Sequence, residues 1–398
     1  MMKVLDLFSG AGGFSLGFQM AGFEIVGAVE IDRYAAETYQ KNFPNSKVVL
    51  GDITHLDNAF FERTFSKPDV IIGGPPCQGF SICTTNAGDP KDPRNSLFKE
   101  FVRIVGFYKP KALVMENVPN IVNAKTESGE FVVDIIQKSF MDLGYKVSYS
   151  IETAAEFGVP QRRKRFVLIG TLFDCANPFP TPTHFVREIG DLNLNQQRNG
   201  LLACPNLWDA ISDLPEIEAR EGAEVMDYSI NPVNGYQALM RRGSEHVFNH
   251  VAMKHSKRIV ERFSVMKWGE SISDITDDRL KQKKRGGNGE VSDKPYDQNN
   301  RRMRGDDICN TITASFYGNF VHPYKNRNFT AREGARIQSF PDWFRFYGKP
   351  TLPSKKLLIR EGRQDEIGLC QYEQIGNAVP PLMAKAIGTV LYNILKEK

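Results

Sequence analysis

Cys77 stands in the run GGPPCQGFS (73–81), directly after the apolar Val70-Ile71-Ile72. Two prolines fix the backbone before it and Gly79 frees the backbone after it, so the thiol has a stiff mount and a pliant exit. A cysteine in such a turn can simply be a packing residue, since free cysteine is among the most buried residue types. It can also be a nucleophile, provided that groups elsewhere favour the thiolate. Two other strand ends offer a carboxylate and a set of guanidinium groups, and a nearby arginine would favour the thiolate. Glu116 lies in Met115-Glu116-Asn117-Val118, and Gln161-Arg162-Arg163-Lys164-Arg165 precedes the apolar run Phe166–Ile169.

A second set of residues suits a nucleoside. DLFSGAGGFSLG (6–17) follows one apolar run and opens a helical pattern, and its glycines let backbone approach a ligand. It lacks the spacing and the Gly-Lys-Ser/Thr of a phosphate-cradling loop. Glu30, ending the second apolar run, can accept from two ribose hydroxyls. Asp52, after the third, can accept from an exocyclic adenine amine. Either carboxylate alone reads as a cap or turn residue. Together at successive strand ends, they and the glycine turn favour an adenosine-type site.

These residues need a scaffold that gathers strand ends. Val4–Phe8, Ile25–Val29, Val48–Leu50, Val70–Ile72, Ala112–Met115 and Phe166–Ile169 read as buried strands, and 33–42, 96–107 and 130–142 as helices. That alternation predicts an α/β, doubly wound sheet with ligands at the carboxyl ends of its strands. Past about residue 175 the rhythm is lost. Prolines punctuate an Asn-rich stretch, and 281–305 reads as a basic loop or hairpin, so a second, smaller irregular domain is expected at 181–325. Val379, Leu382, Met383, Ala386, Ile387, Val390, Leu391, Ile394 and Leu395 then form an apolar helical face, with Pro380-Pro381 suiting its first turn. Such a face must pack, and the N-terminal sheet is its expected partner. The first domain is thus expected to be discontinuous, 1–180 with 371–398, and 326–370 to connect.

The 398 residues suffice for two domains, and 25% charged with 41% hydrophobic content is ordinary for a globular protein. No run of apolar residues approaches membrane-spanning length and no secretory pattern opens the chain, so a cytoplasmic protein without membrane contact is expected. The six cysteines are widely spaced with no C-x-x-C pair, which argues against a disulfide framework and a cysteine zinc site. Net charge is +4, yet residues 241–304 hold 16 Lys and Arg against 9 Asp and Glu. That local excess attracts polyanions, and Lys283, Lys284 and Arg285 are its candidate polyanion contacts. His246, His250 and His255 are read as surface or structural groups, with no metal expected.

FSGAGG, GGPPCQGFS, ENV, QRRKR, REGARIQSFPDWF (332–344) and QIGNAVPP (374–381) occur in the order seen in DNA cytosine-5 methyltransferases, which the chain resembles over nearly its whole length outside the middle. The resemblance implies a Rossmann-like methyltransferase domain, S-adenosyl-L-methionine as methyl donor with S-adenosyl-L-homocysteine as product, double-stranded DNA as substrate, and a target recognition domain at 181–325. It implies that Cys77 adds to cytosine C6, that Glu116 contacts N3 and the exocyclic amine, and that Arg163 and Arg165 orient the base. It carries Phe8, Gly10, Gly12, Glu30, Ile31, Asp52, Ile53, Leu97, Asn377 and Val379 over to the cofactor. Gln78 and Ser81, in a loop like the family's closing lid, go to the DNA, as do Thr311 and Ile312. A monomer is expected, with a cognate restriction endonuclease acting separately. Two alternatives stand beside this reading. Transfer-RNA cytosine methyltransferases share the scaffold but depart from Gln-Gly-Phe-Ser after the cysteine and have a smaller middle domain. A non-catalytic DNA-binding paralogue would not need Cys77, Glu116 and QRRKR intact. Residues 347–370 are longer than the usual link and read as a loop or an extra DNA contact.

Overall fold

Six apolar runs and one that is not apolar make a single sheet. β1 (Lys3–Leu7), β2 (Glu24–Glu30), β3 (Lys47–Leu50), β4 (Val70–Gly73), β5 (Ala112–Asn117), β6 (Lys146–Thr153) and β7 (Lys164–Thr171) are ordered β3-β2-β1-β4-β5-β7-β6. The first five are parallel, and β7 runs antiparallel to both β5 and β6. The fold is mixed α/β with a parallel-dominated sheet. β6 escapes a search for apolar runs because it is an edge strand, with Tyr149 and Ile151 partly exposed and Lys146, Ser148 and Ser150 interrupting its apolar residues. The computed structural model describes residues 1–76, 97–126, 128–284, 289–292, 299–353 and 355–398.

The chain forms two compact units, one of Met1–Phe157, Arg163–Pro182 and Ala378–Lys398, the other of Gly158–Arg162 and Thr183–Asn377. In the first, α1 (Gly13–Met20), α2 (Arg33–Asn42), α3 (Asn58–Thr64), α4 (Leu97–Tyr108) and α5 (Val132–Met141) accompany the strands. Leu5, Leu7, Ile71, Leu113 and Met115 from the sheet pack with Phe101, Ile104, Ile136 and Phe140 from α4 and α5. The C-terminal helix, Pro381–Lys396, lies against α1. A Cβ on Gly17 would fall 2.3 Å from Ala384 Cβ and 2.6 Å from the Pro381 carbonyl oxygen, so the two helices meet backbone to backbone there. Against the expectation from sequence, the whole stretch Gln371–Lys396 has the length and apolarity of a membrane span. Its apolar side chains are nonetheless inside the protein: Met383, Ala384, Ile387, Leu391 and Leu395 are buried. The helix is also broken at 378–380, before Pro381.

The second unit has small sheets and an ionic centre. Gly222–Met226 pairs with Val247–Val251, and Arg301–Arg302 with Phe320–Val321. The helix Ala331–Ile337 is buried with its charges. Arg327 grips Glu333 through two bonds of 2.8 and 2.7 Å, and Arg336 binds Asp342 (2.6 Å) and Asp213 (2.9 Å). Residues 326–370 therefore belong to this unit rather than connecting domains, because their arginines are bound inside it. Gln371–Asn377 belongs here too. Within 347–370, a short helix Lys355–Arg360 is pinned by buried Leu358. Glu366 takes both Lys349 and Arg363.

The close approach at Gly17 has a measurable consequence. Gly17→Leu should overpack the contact and cost about 1–3 kcal/mol or more, lowering the melting temperature by several degrees. Gly51→Ala, where a Cβ meets nothing within 4 Å, should melt near wild type. Equal melting of the two variants would remove the tight helix contact from the account.

Candidate active site

The glycine turn and its anchor come from β1 and β2. Phe8 adopts a left-handed backbone (φ 60°), as does Gly10 (φ 53°). For a bulky residue that conformation costs about 1–3 kcal/mol and persists only where the surroundings impose it. Here the Ser9 N–H donates to Val29 O (3.2 Å) and the Gly12 N–H to Ser9 O (3.0 Å). Glu30 closes the clamp. Its Oε2 accepts from the Gly10 N–H (2.7 Å) and its Oε1 from the Asp32 N–H (2.8 Å). Each oxygen retains acceptor capacity for a ribose hydroxyl. Burial raises the Glu30 pKa, against the pull of those two bonds.

The rest of the cup follows from register. Glu30 lies opposite Leu50, and the Gly51 N–H donates to Glu30 O (2.9 Å), which sets Asp52 beside the Glu30 strand end. Asp52 Oδ1 accepts from Thr54 N (2.9 Å) and Thr54 Oγ1 (2.7 Å), bonds that hold its carboxyl below the usual range. A Cβ on Gly10 meets nothing within 4 Å, whereas one on Gly12 would strike Phe43 at 2.6 Å and Tyr39 at 2.9 Å. Gly10 thus faces open space and Gly12 faces the core. Ile31 is 66% exposed, an apolar surface beside the polar Glu30, and Ile53 is buried. Open space, an exposed apolar side chain and two carboxylates fit an adenosine moiety. Leu97 opens α4 and packs on the core, and buried Val379 follows Ala378. Asn377 ends the last helix of the second unit, one residue before Ala378.

Beneath the turn lies a network that motif reading passed over. Ser15 Oγ donates to Asp6 Oδ2 (2.7 Å) and lies 2.6 Å from the Tyr39 hydroxyl, all buried. Burial pushes the Asp6 pKa up to about 8, the Ser15 bond opposes this, and the Glu30 charge adds to it. In the sequence Asp6 stands out only as the first residue of the motif. Its alternation within β1, pointing away from Leu5 and Leu7, was the available signal.

The carboxyl end of β4 meets β5 and β7. Gly73 lies opposite Met115, and Asn117 opposite Phe166, so Glu116 and Arg165 arrive at one edge from antiparallel neighbours. Arg165 Nε is 2.6 Å from Glu116 Oε1, both side chains being largely buried. The chain leading to Cys77 is tied to this pair: Asn117 Nδ2 donates to Pro75 O (3.0 Å), and a Cβ on Gly74 would lie 3.0 Å from Glu116 Oε2. Arg163 is fully buried and donates to Ala378 O (3.0 Å), tying the QRRKR block to the segment before the C-terminal helix. Burial lowers its pKa, and the neighbouring Arg165 charge lowers it further. Cys77, Gln78, Ser81 and Arg285 lie outside the described residues.

The remaining candidates belong to the second unit. Ile312 is fully buried and its N–H faces Gln161 Oε1 (3.3 Å), so its side chain is a core residue, not a surface contact. A run of branched residues reads alike for either role, and packing decides. Thr311 Oγ1 donates to Arg162 O (2.8 Å), and Thr313 is exposed. Much of the basic excess is internal: Arg262 donates to Leu280 O and Lys281 O, and Arg302 to His322 O and Phe263 O. Lys283 and Lys284 line a cavity. His250 bonds Thr330 Oγ1 and Pro215 O (2.9 Å each), His255 Nε2 accepts from Asn328 N, and exposed His246 pairs with Asp227.

Residues 2–393 match the C-5 cytosine-specific DNA methylase family. The chain is 47% identical to the type II methyltransferase M.DdeI of Desulfomicrobium norvegicum, over 97% of this chain and 87% of that protein. It is 37% identical to M1.HphI of Haemophilus parahaemolyticus, over 97% and 85%. A solved E. coli prophage protein, assigned as a DNA modification methyltransferase, aligns over both whole chains with a TM-score of 0.72 and 27% identity. The Dnmt2 methyltransferase of S. pombe aligns at TM-score 0.55 and 16% identity, a likeness of fold.

Removing the clamp tests the cup. Glu30→Ala should weaken S-adenosylmethionine binding by about 2–3 kcal/mol, through lost charge-assisted bonds and a loosened turn. Calorimetry showing wild-type affinity would take Glu30 out of the site.

Proposed function

Because the chain belongs to the C-5 cytosine-specific DNA methylase family, and is a DNA cytosine-5 methyltransferase of the type II restriction-modification kind, we propose how its residues divide the work. The substrate is a cytosine flipped out of a specific duplex sequence, since neither face of a stacked base is reachable. S-adenosylmethionine, held by Phe8, Gly10, Glu30, Ile31 and Asp52, supplies an electrophilic methyl group when bound. Cytosine C5 is a poor nucleophile, and Cys77 remedies this. Its thiolate adds to C6, and the electron pair of the C5–C6 double bond becomes available at C5. C5 then takes the methyl group, loses its proton, and the thiolate leaves as the double bond re-forms.

Glu116 and Arg165 act on the opposite edge of the base. Arg165 engages Oε1, which leaves Oε2 to meet N3 and the exocyclic amine and to stabilise charge arising there during addition. Arg163 holds the strand end in place through Ala378. One observation carries this division: Pro75, two residues before Cys77, is bonded to the residue after Glu116. The thiol mount and the base-binding carboxylate are therefore one construction. We further propose that the protein acts as a monomer and protects sites cut by a separate endonuclease.

DNA bearing 5-fluorocytosine at the target should trap the enzyme. Fluorine at C5 cannot leave as a proton does, so elimination is blocked after methyl transfer. A covalent adduct stable to denaturant should form only with S-adenosylmethionine present, and Cys77→Ser should abolish it. Cys83→Ser should still form it. Attachment at Cys83, or normal turnover by Cys77→Ser, would overturn the assignment.

A further inference from the structure

Within the second unit a cavity of about 730 Å³ is lined by Gln282, Lys283, Asn299, Asn300, Ser315 and Asn319, among others. No carboxylate occurs among its described lining residues, so these residues offer a polyanion no repulsion. The amides are held in defined directions. Asn300 has a left-handed backbone (φ 48°), its N–H donates to Gly318 O (3.1 Å), and its Oδ1 accepts from the buried Asn328 Nδ2 (3.3 Å). Its own NH₂ is therefore left to donate. Asn319 is turned the other way: its Nδ2 faces Thr313 Oγ1 (3.4 Å) and Ser315 Oγ (3.5 Å), which leaves Oδ1 to accept. Gln282 Nε2 faces Lys283 O (3.4 Å), leaving Oε1.

A phosphate presents acceptors only and has no use for acceptor oxygens in a wall. A base edge presents donors and acceptors side by side, and the N6 and N7 atoms of adenine match an amide. We infer that this cavity reads base edges next to the target cytosine, adenine through Asn319 and Asn300, with Lys283 on an adjoining phosphate. The inference rests on the methyltransferase reading above and adds the residues that select sequence. Phosphate contacts position a protein on DNA and base contacts specify, so the two kinds of residue must behave differently when removed.

The test methylates a library of duplex DNA with the purified full chain and reads 5-methylcytosine by bisulfite sequencing. Asn319→Ala and Asn300→Ala should each lose about 10-fold or more of their discrimination at an A·T position of the wild-type consensus. Asn319→Gln keeps the amide but displaces it by one methylene, and should alter the same position. S-adenosylmethionine affinity for these variants should match wild type, as should the melting curves of the two Asn319 variants, whereas Asn300→Ala, which gives up the bond from buried Asn328, should melt lower. Lys283→Ala should keep the consensus while the salt dependence of DNA binding flattens by about one charge. Unchanged consensus and discrimination in all three amide variants would overturn the inference and leave the methyltransferase reading intact. If the wild-type chain methylates no cytosine, both fall together.

Discussion

Parallel pairing of β1 to β5 brings five carboxyl ends to one edge, and every candidate group of the first unit depends on it. Leu7 is level with Val29 and Gly73, Glu30 with Leu50, and Gly73 with Met115. The glycine turn, Glu30, Asp52, the mount of Cys77 and Glu116 are each the next residues along. A slip of one residue in any pair would turn these side chains to the opposite face of the sheet. The antiparallel β7 adds what parallel strands cannot, a strand that begins at the same edge and so delivers Arg165 to Glu116.

Polar bonds then lock what register places. Glu30 spans Gly10 and Asp32, Asn117 spans β5 and Pro75, and Arg163 reaches Ala378. The second unit uses stronger versions of the same device, with Arg327–Glu333 and Arg336–Asp342–Asp213 fully buried. Removing one partner of such a pair leaves a buried charge uncompensated, so these pairs specify one arrangement even where apolar packing would be as stable.

Buried strands and amphipathic helices were legible because a single pattern identifies each. The apolar runs of β1 to β5 and β7 and the helices Arg33–Asn42, Leu97–Tyr108 and Val132–Met141 match their expected positions within a few residues. β6 carries no such run, because an edge strand need bury only part of itself. Buried arginines were illegible for the opposite reason. Nothing in the sequence marks Arg332 and Arg336 as buried, and only tertiary partners such as Asp213, far away in sequence, make them core residues. The same holds for Arg262 and Arg302, which thin the basic stretch that sequence alone offers to DNA. Of the site, the strand-end residues were readable from motif and position. The Asp6–Ser15–Tyr39 network and the Asn117–Pro75 bond were not, since each depends on where helices and turns settle.

The central claim is that the gathered strand ends direct methyl transfer to carbon C5 of cytosine. The most direct measurement incubates the protein with duplex DNA and S-adenosylmethionine carrying a deuterated methyl group, digests the DNA to nucleosides, and identifies the labelled product by mass spectrometry. The account predicts label on 5-methyldeoxycytidine alone, with the label lost in Glu116→Ala. Label on N4-methyldeoxycytidine or N6-methyldeoxyadenosine, or label taken up by RNA and not by DNA, would contradict it.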